Sequence, residues 1–222
     1  MSSQLGVQCP SKFVYFGLKT PIALACQCLL EISGKPYEGK SVAMDEWAEL
    51  KPKTPTGMLP YADMPDGTVM AESGAIGRVI AASAGLLGEG KDFMVSEQLA
   101  GMTADLIKKV FAICPTMLTV ENFDDAKKTA YAEQRAGILE YLDKYKPMLL
   151  PAGDRFTESG LTYGEVDLFA KLNCCVTGCF PEIMEGPLAA FCKRMEEVPG
   201  IKKVLAGETQ FGSLPDYLIP MP

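Results

Sequence analysis

The hydrophobic pattern of this chain changes period once, at the glycine-rich stretch Gly85-Leu86-Leu87-Gly88-Glu89-Gly90-Lys91. Before it, short β-branched and aromatic runs are interleaved with helical segments. After it, every long apolar pattern has helical spacing. A chain patterned in this way is limited to a small mixed sheet with helices on its faces, followed by an all-helical part. The 222 residues suffice for two modest cores. The domains expected are residues 1–86 and 92–222.

The first part begins with Lys-Phe-Val-Tyr-Phe at 12–16, a strand by composition. Gly17 to Pro21 breaks it. Pro21 suits a first helical turn, and the Ala/Leu-rich run Ile22 to Ile32 continues as helix until Gly34 ends it. Tyr37 to Met44 reads as a second strand, and the Pro-rich segment 45–57 holds the only tryptophan, Trp47. Leu59 to Met64, the Asp66-Gly67 turn and Thr68 to Ala71 form a hairpin pattern. Glu72-Ser73 then opens a helix through Ala75, Ile76, Val79 and Ile80. In the second part, Val95 to Leu118 and Asp124 to Tyr145 are long helical patterns, and Pro147 to Ser159 is a loop. Thr162 and Glu165 spell a capping box, with Leu161 and Val166 as a hydrophobic staple across it, so a helix is expected to start there. Shorter helices follow at Pro187 to Glu197 and Ile201 to Leu205, with an irregular tail from Gly207.

Composition removes several kinds of chemistry. With no histidine in the chain, Ser-His and Cys-His nucleophiles and imidazole-ligated metals are excluded. Proton transfer would fall to Asp, Glu, Lys or Tyr. The net charge of −7 argues against a nucleic-acid surface. No window approaches the apolar length of a membrane span, and Met1 to Pro10 lacks the basic and apolar regions of a signal peptide, so a cytoplasmic address is expected. None of the eight cysteines forms a C-x-x-C pair, and most sit among apolar neighbours. Reduced thiols buried as small apolar side chains are expected, and no metal.

Four segments carry a family likeness: Val14-Tyr15-Phe16; Trp47-Ala48-Glu49-Leu50-Lys51-Pro52; Thr56-Gly57-Met58-Leu59-Pro60; and Glu72-Ser73-Gly74-Ala75-Ile76 with Arg78. In this order and spacing, with the capped Thr162 segment behind them, they resemble the cytosolic glutathione transferases, a tyrosine-type, sigma-like branch. The resemblance implies a thioredoxin-like domain with a four-stranded sheet, an all-helical second domain, glutathione as co-substrate for conjugation to a small hydrophobic electrophile or as cofactor for an isomerisation, and a homodimer.

The resemblance also assigns roles. A thiol near pKa 8.5 is mostly protonated at neutral pH, and a hydroxyl donating to its sulfur favours the thiolate. Tyr15 is the residue in that position, which suits a chain without histidine. Trp47 and Lys51 would flank the glycine end of glutathione. Met58 and Leu59 would offer backbone contacts, with a cis Leu59–Pro60 bond turning Leu59 toward the tripeptide's cysteine. Glu72 would meet the γ-glutamyl amine and Ser73 its carboxylate, although Ser73 by itself also reads as a helix cap. Two features depart from the family: Gly17 to Gln27 lacks the arginine usual after the tyrosine, Lys19 being its one cation. The position of a cross-subunit acid on the first long helix is nearest Ala100, although Glu97 and Asp105 lie close by. Gly17, Leu18, Phe111 and the tail at Phe211 or Tyr217 are candidate walls for the electrophile. The alternative is a non-catalytic binding or structural protein on the same scaffold, crystallin-like or ligand-carrying. A thiol-disulfide oxidoreductase would want cysteine where Tyr15 stands.

Overall fold

The computed structural model describes residues 5–220; residues 1–4 and 221–222, the outer ends of the two expected domains, lie outside the described residues. The first strand, β1 (Lys12–Phe16), buries Phe13, Val14 and Tyr15 in succession. A strand covered on both faces belongs inside a sheet, and β1 is an inner strand in the order β2 (Glu38–Val42), β1, β3 (Tyr61–Asp63), β4 (Val69–Ala71). β2 runs parallel to β1, whereas β3 and β4 are antiparallel to their neighbours. β1 has its expected bounds, whereas the other three strands are shorter than expected. Pro60 has no N–H to give a ladder, so β3 begins only at Tyr61.

A parallel pair needs a crossover, and α1 (Pro21–Ser33) supplies it. Thr20 caps this helix by accepting from the Ala23 amide at 3.1 Å, Pro21 occupies its first turn, and Gly34 closes it at φ 63°. Most of α1 is buried, as expected of a helix covered on several sides. It packs against α3 (Ser73–Ala84), α6 (Tyr163–Gly178) and α8 (Pro199–Leu205). The turn at Asp66-Gly67 joins β3 to β4 with Gly67 at φ 88°, the backbone that favours glycine. A one-turn helix, α2 (Trp47–Leu50), precedes β3.

The helical half begins with α4 (Gly90–Ile113). Its bounds correct the expected Val95 to Leu118 at both ends. Gly90 and Lys91 are helical, not loop, and the helix stops at Cys114, which is extended at φ −85° and ψ 142°. The cause at that end is Pro115, whose ring disfavours helical backbone in the residue before it. α5 (Asp125–Asp143) starts under the Asp124 side chain, which accepts from the Lys127 amide at 2.9 Å. α6 carries the capping box: Glu165 accepts from the Thr162 amide at 3.2 Å, and its carboxylate also takes the Phe156 amide at 2.9 Å and the Thr157 hydroxyl at 2.6 Å. The box therefore fastens the preceding loop as well as the helix. α7 (Ala189–Glu196) and α8 follow.

The tail is irregular but fixed. Lys19 donates its amide to Pro215 and accepts from the Tyr217 amide at 2.8 and 3.1 Å, while the Met117 and Ile219 amides complete a second seam at 2.8 and 3.2 Å. It thereby spans from the loop after β1 to the α4–α5 connection. All eight cysteines are reduced and buried. No helix among the described residues is long and apolar enough to cross a membrane. No group of three or more His, Cys, Asp or Glu side chains among them could hold a metal ion.

Candidate active site

The sheet register brings distant segments onto one row. Val14 pairs with Tyr61, and Tyr61 pairs with Ala71. The antiparallel ladders end at this row, and the next residue of each segment at that end is Tyr15, Pro60 and Glu72, with Ser41 of β2 paired to Tyr15 on the other side. Tyr15, the Leu59–Pro60 turn and the start of α3 thus meet at one end of the sheet.

Tyr15 is 5% exposed. Burial pushes its phenol up to about 12, against the opposing pull of a hydrogen bond from Thr20. The hydroxyl is therefore protonated at neutral pH, a donor and not a base. Thr20 Oγ1 donates to the phenol oxygen at 3.1 Å. That bond occupies an acceptor site of the phenol and leaves its single proton for another acceptor. Tyr15 contacts Phe16 edge-on at 5.6 Å, and Phe16 contacts Trp47 edge-on at 5.2 Å. Phe16, half-buried against the core, links the tyrosine and the tryptophan.

Trp47 opens α2, and the Lys51 amide bonds back to its carbonyl. The Lys51 side chain is exposed and lies along the next turn, its Cε 4.0 Å from where a Cβ on Gly57 would stand. Gly57 adopts φ 69°, Met58 is exposed, Leu59 is buried, and the Leu59–Pro60 peptide is cis. Lys51 and the Met58-Leu59-Pro60 turn are thereby neighbours.

At the head of α3, Glu72 and not Ser73 holds the cap position, and it makes no side-chain cap bond. Glu72 stands at φ 69° and ψ 110°, a region L residues rarely occupy, and such backbone clusters at ligand sites. Ser73 is the first helical residue. The leading amides of a helix have no intrahelical acceptor and attract anions. This turn is anchored from behind: Cys26 Sγ donates to the Ser73 carbonyl at 3.5 Å, and Tyr163 Oη and Arg78 Nη1 donate to the Gly74 carbonyl at 3.3 and 3.2 Å. A cleft of about 310 Å³ opens beside it, lined by Ser73, Cys26, Arg78, Ala100, Asp167 and Lys171 among others.

Arg78 also grips Glu97 of α4 through Nε and Nη2 at 2.9–3.2 Å, tying the two halves together. Glu97 is thus engaged within the chain, Asp105 pairs with Lys108 at 3.3 Å, and Ala100 is buried. Lys19, the cation nearest in sequence to the missing arginine, pairs with Asp216 at 3.0 Å. Of the candidate wall residues, Phe111 and Tyr217 meet edge-on at 6.1 Å. Phe211 does not join them. It packs on Phe13 and Tyr37 over Gly39, leaving no room there for a Cβ. Thr20 was missed among the site residues, although a threonine directly before a proline is a helix-start signal.

No family model matches the sequence. The chain is 25% identical over 202 residues to glutathione S-transferase 1 of Ascaris suum, covering 88% of this chain and 95% of that protein. It is 26% identical over 140 residues to S-crystallin SL11 of Nototodarus sloanii, covering 61% and 65%. In three dimensions it resembles the glutathione S-transferase of Ascaris lumbricoides at a TM-score of 0.77 and 21% identity, covering 89% of this chain and 97% of that one. That likeness establishes the fold: a thioredoxin-like half and a helical half. With sequence likeness running nearly end to end on the same architecture, the chain is similar to the cytosolic glutathione transferases.

Proposed function

We propose that this protein transfers glutathione to small apolar electrophiles, with the Tyr15 hydroxyl holding the tripeptide's sulfur as thiolate. The observation that carries this reading is the sheet end just past the row Val14–Tyr61–Ala71, where the buried, protonated phenol of Tyr15, the cis Leu59–Pro60 turn and the α3 start that would cradle a peptide all lie. A donor hydroxyl stabilises the sulfur anion and lowers the thiol's pKa without itself taking a proton. Leu59 and Met58 would pair with the peptide's backbone in the manner of an added strand. Lys51 would meet the glycine carboxylate beside Trp47. The γ-glutamyl carboxylate would sit on the Ser73 hydroxyl and the α3 amides, and its amine would face Glu72. The electrophile would approach along Leu18, Phe111 and Tyr217. Homodimer formation and a cytoplasmic location belong to the same proposal.

A second reading has its own support. Likeness to an S-crystallin, the absent arginine and the buried Ala100 fit a scaffold that binds glutathione weakly or not at all. Retention on immobilised glutathione, followed by thioether formation with an aryl halide, separates the two. The transferase reading expects both from the wild type and loss of turnover in Tyr15→Phe. A wild type that neither binds nor reacts would establish the structural reading, and full turnover by Tyr15→Phe would remove the role given to the phenol.

A further inference from the structure

The loop between β1 and α1 contains no arginine, and its one cation is engaged elsewhere. Lys19 pairs with Asp216 at 3.0 Å, and its backbone is stitched to Pro215 and Tyr217 of the tail. Whatever assists the phenol of Tyr15 in this chain is not a cation from that loop. What stands there instead is Thr20, 3% exposed, with its hydroxyl 3.1 Å from the phenol oxygen.

Thr20 Oγ1 has two partners. It accepts from the Ala23 amide at 3.1 Å, as the cap of α1, and donates to Tyr15. A threonine hydroxyl has one proton to give, and here it goes into the phenol oxygen. The helix start therefore orients the threonine, and the threonine in turn sets the phenol. A phenol that already accepts one hydrogen bond is polarised and becomes a better donor of its own.

We propose that Thr20 is a positioning residue for the reaction: by donating to the Tyr15 oxygen it commits the phenol proton to the glutathione sulfur and strengthens that bond. This rests on the transferase reading above. Thr20 is buried with its hydroxyl taken up by Tyr15 and the Ala23 amide, so it acts on the state of the bound thiol and leaves glutathione affinity nearly unchanged. The ionisable groups acting on Tyr15 are Tyr217, Cys26 and Cys174. Burial pushes both cysteines up to about 12, so neither changes charge where a bound thiol would titrate.

The test is the pKa of glutathione bound to the enzyme, read from its ultraviolet thiolate absorbance and from the acid limb of kcat/KM, in four variants. Thr20→Val removes donor and cap together. Thr20→Asp keeps a good cap but, ionised, has no proton to donate. Thr20→Ser keeps both, and Tyr15→Phe reports on the phenol itself. The proposal expects Val and Asp to move the limb to higher pH. On that limb kcat/KM falls about 2- to 10-fold, the worth of one neutral hydrogen bond. KM for glutathione stays close to wild type, and Ser restores the profile. A loosened helix start would lower thermal stability without moving the limb. If Thr20→Val and Thr20→Asp keep the wild-type limb while Tyr15→Phe shifts it, Thr20 is only a cap and the proposal is overturned. If Tyr15→Phe leaves the limb in place as well, the transferase reading falls and this one with it.

Discussion

Tyr15 and Glu72 directly follow the two outer members of the paired row Val14–Tyr61–Ala71, so both stand at the same end of the sheet. The register of two antiparallel pairings enforces this relation, so it survives substitutions that leave the ladder alone. At that end of the sheet the backbone leaves β4 and enters α3 through Glu72 at φ 69°.

That turn separates stability from binding. At φ 69° a side chain is strained and glycine is not. Glu72→Gly should therefore be more stable than Glu72→Ala by about 1 kcal/mol, measured by chemical denaturation. Both should lose glutathione affinity to a similar extent, measured by calorimetry, because both remove the carboxylate proposed to meet the amine. Equal stabilities would show that the turn is not strained. Unchanged affinity would remove Glu72 from the site.

Gly164 is where α6 crosses α4 without clearance. A Cβ there would lie 2.1 Å from the Ser96 carbonyl oxygen, and the Gly164 amide bonds to Ser96 Oγ at 2.9 Å. In an exposed helix, Gly→Ala would gain about 1 kcal/mol. Here the backbone clash reverses the sign, and Gly164→Ala is expected to destabilise by roughly 2–3 kcal/mol, as overpacking does. A melting temperature equal to or above wild type would contradict this packing.

Asp92, in the first turn of α4, accepts from the Glu158 and Ser159 amides at 3.0 Å each. Partial burial pushes its carboxyl up, but the amide bonds outweigh that and hold it below the ordinary carboxylate value. A folded-state pKa below the unfolded one contributes stability above the unfolded value, near 3.9, and loses it as pH falls through the folded value. Asp92→Asn should therefore be less stable than wild type at pH 7, and the gap should close below about pH 4. A gap independent of pH would mean that the charge is not what holds the loop.

Much of this was legible along the chain, because local chemistry decided it. The Asp66-Gly67 turn, the Gly34 stop and the Thr162–Glu165 box depend on a few adjacent residues, and each stands where its pattern put it. What escaped depends on partners far away in sequence. α4 begins before its apolar stripe does, because Asp92 is held by a distant loop. Phe211 covers β2 because its neighbour Gln210 bonds to the Gly39 amide and the Tyr37 carbonyl, closing that sheet edge. Tyr15 could be singled out in the sequence, whereas the hydroxyl that orients it could not, since Thr20 has an ordinary capping role that hides the second one.

The central claim concerns one proton. In the folded protein the Tyr15 phenol keeps it until about pH 12, so a bound thiol should ionise beneath a donor that stays intact throughout. The most direct measurement is a spectroscopic titration of glutathione bound to wild type and to Tyr15→Phe. The account predicts a bound thiol well below its free value of about 8.5 in the wild type. It predicts a rise of roughly one to two units in Tyr15→Phe, the worth of a hydrogen bond to a charged group. Identical titrations for the two proteins would contradict it.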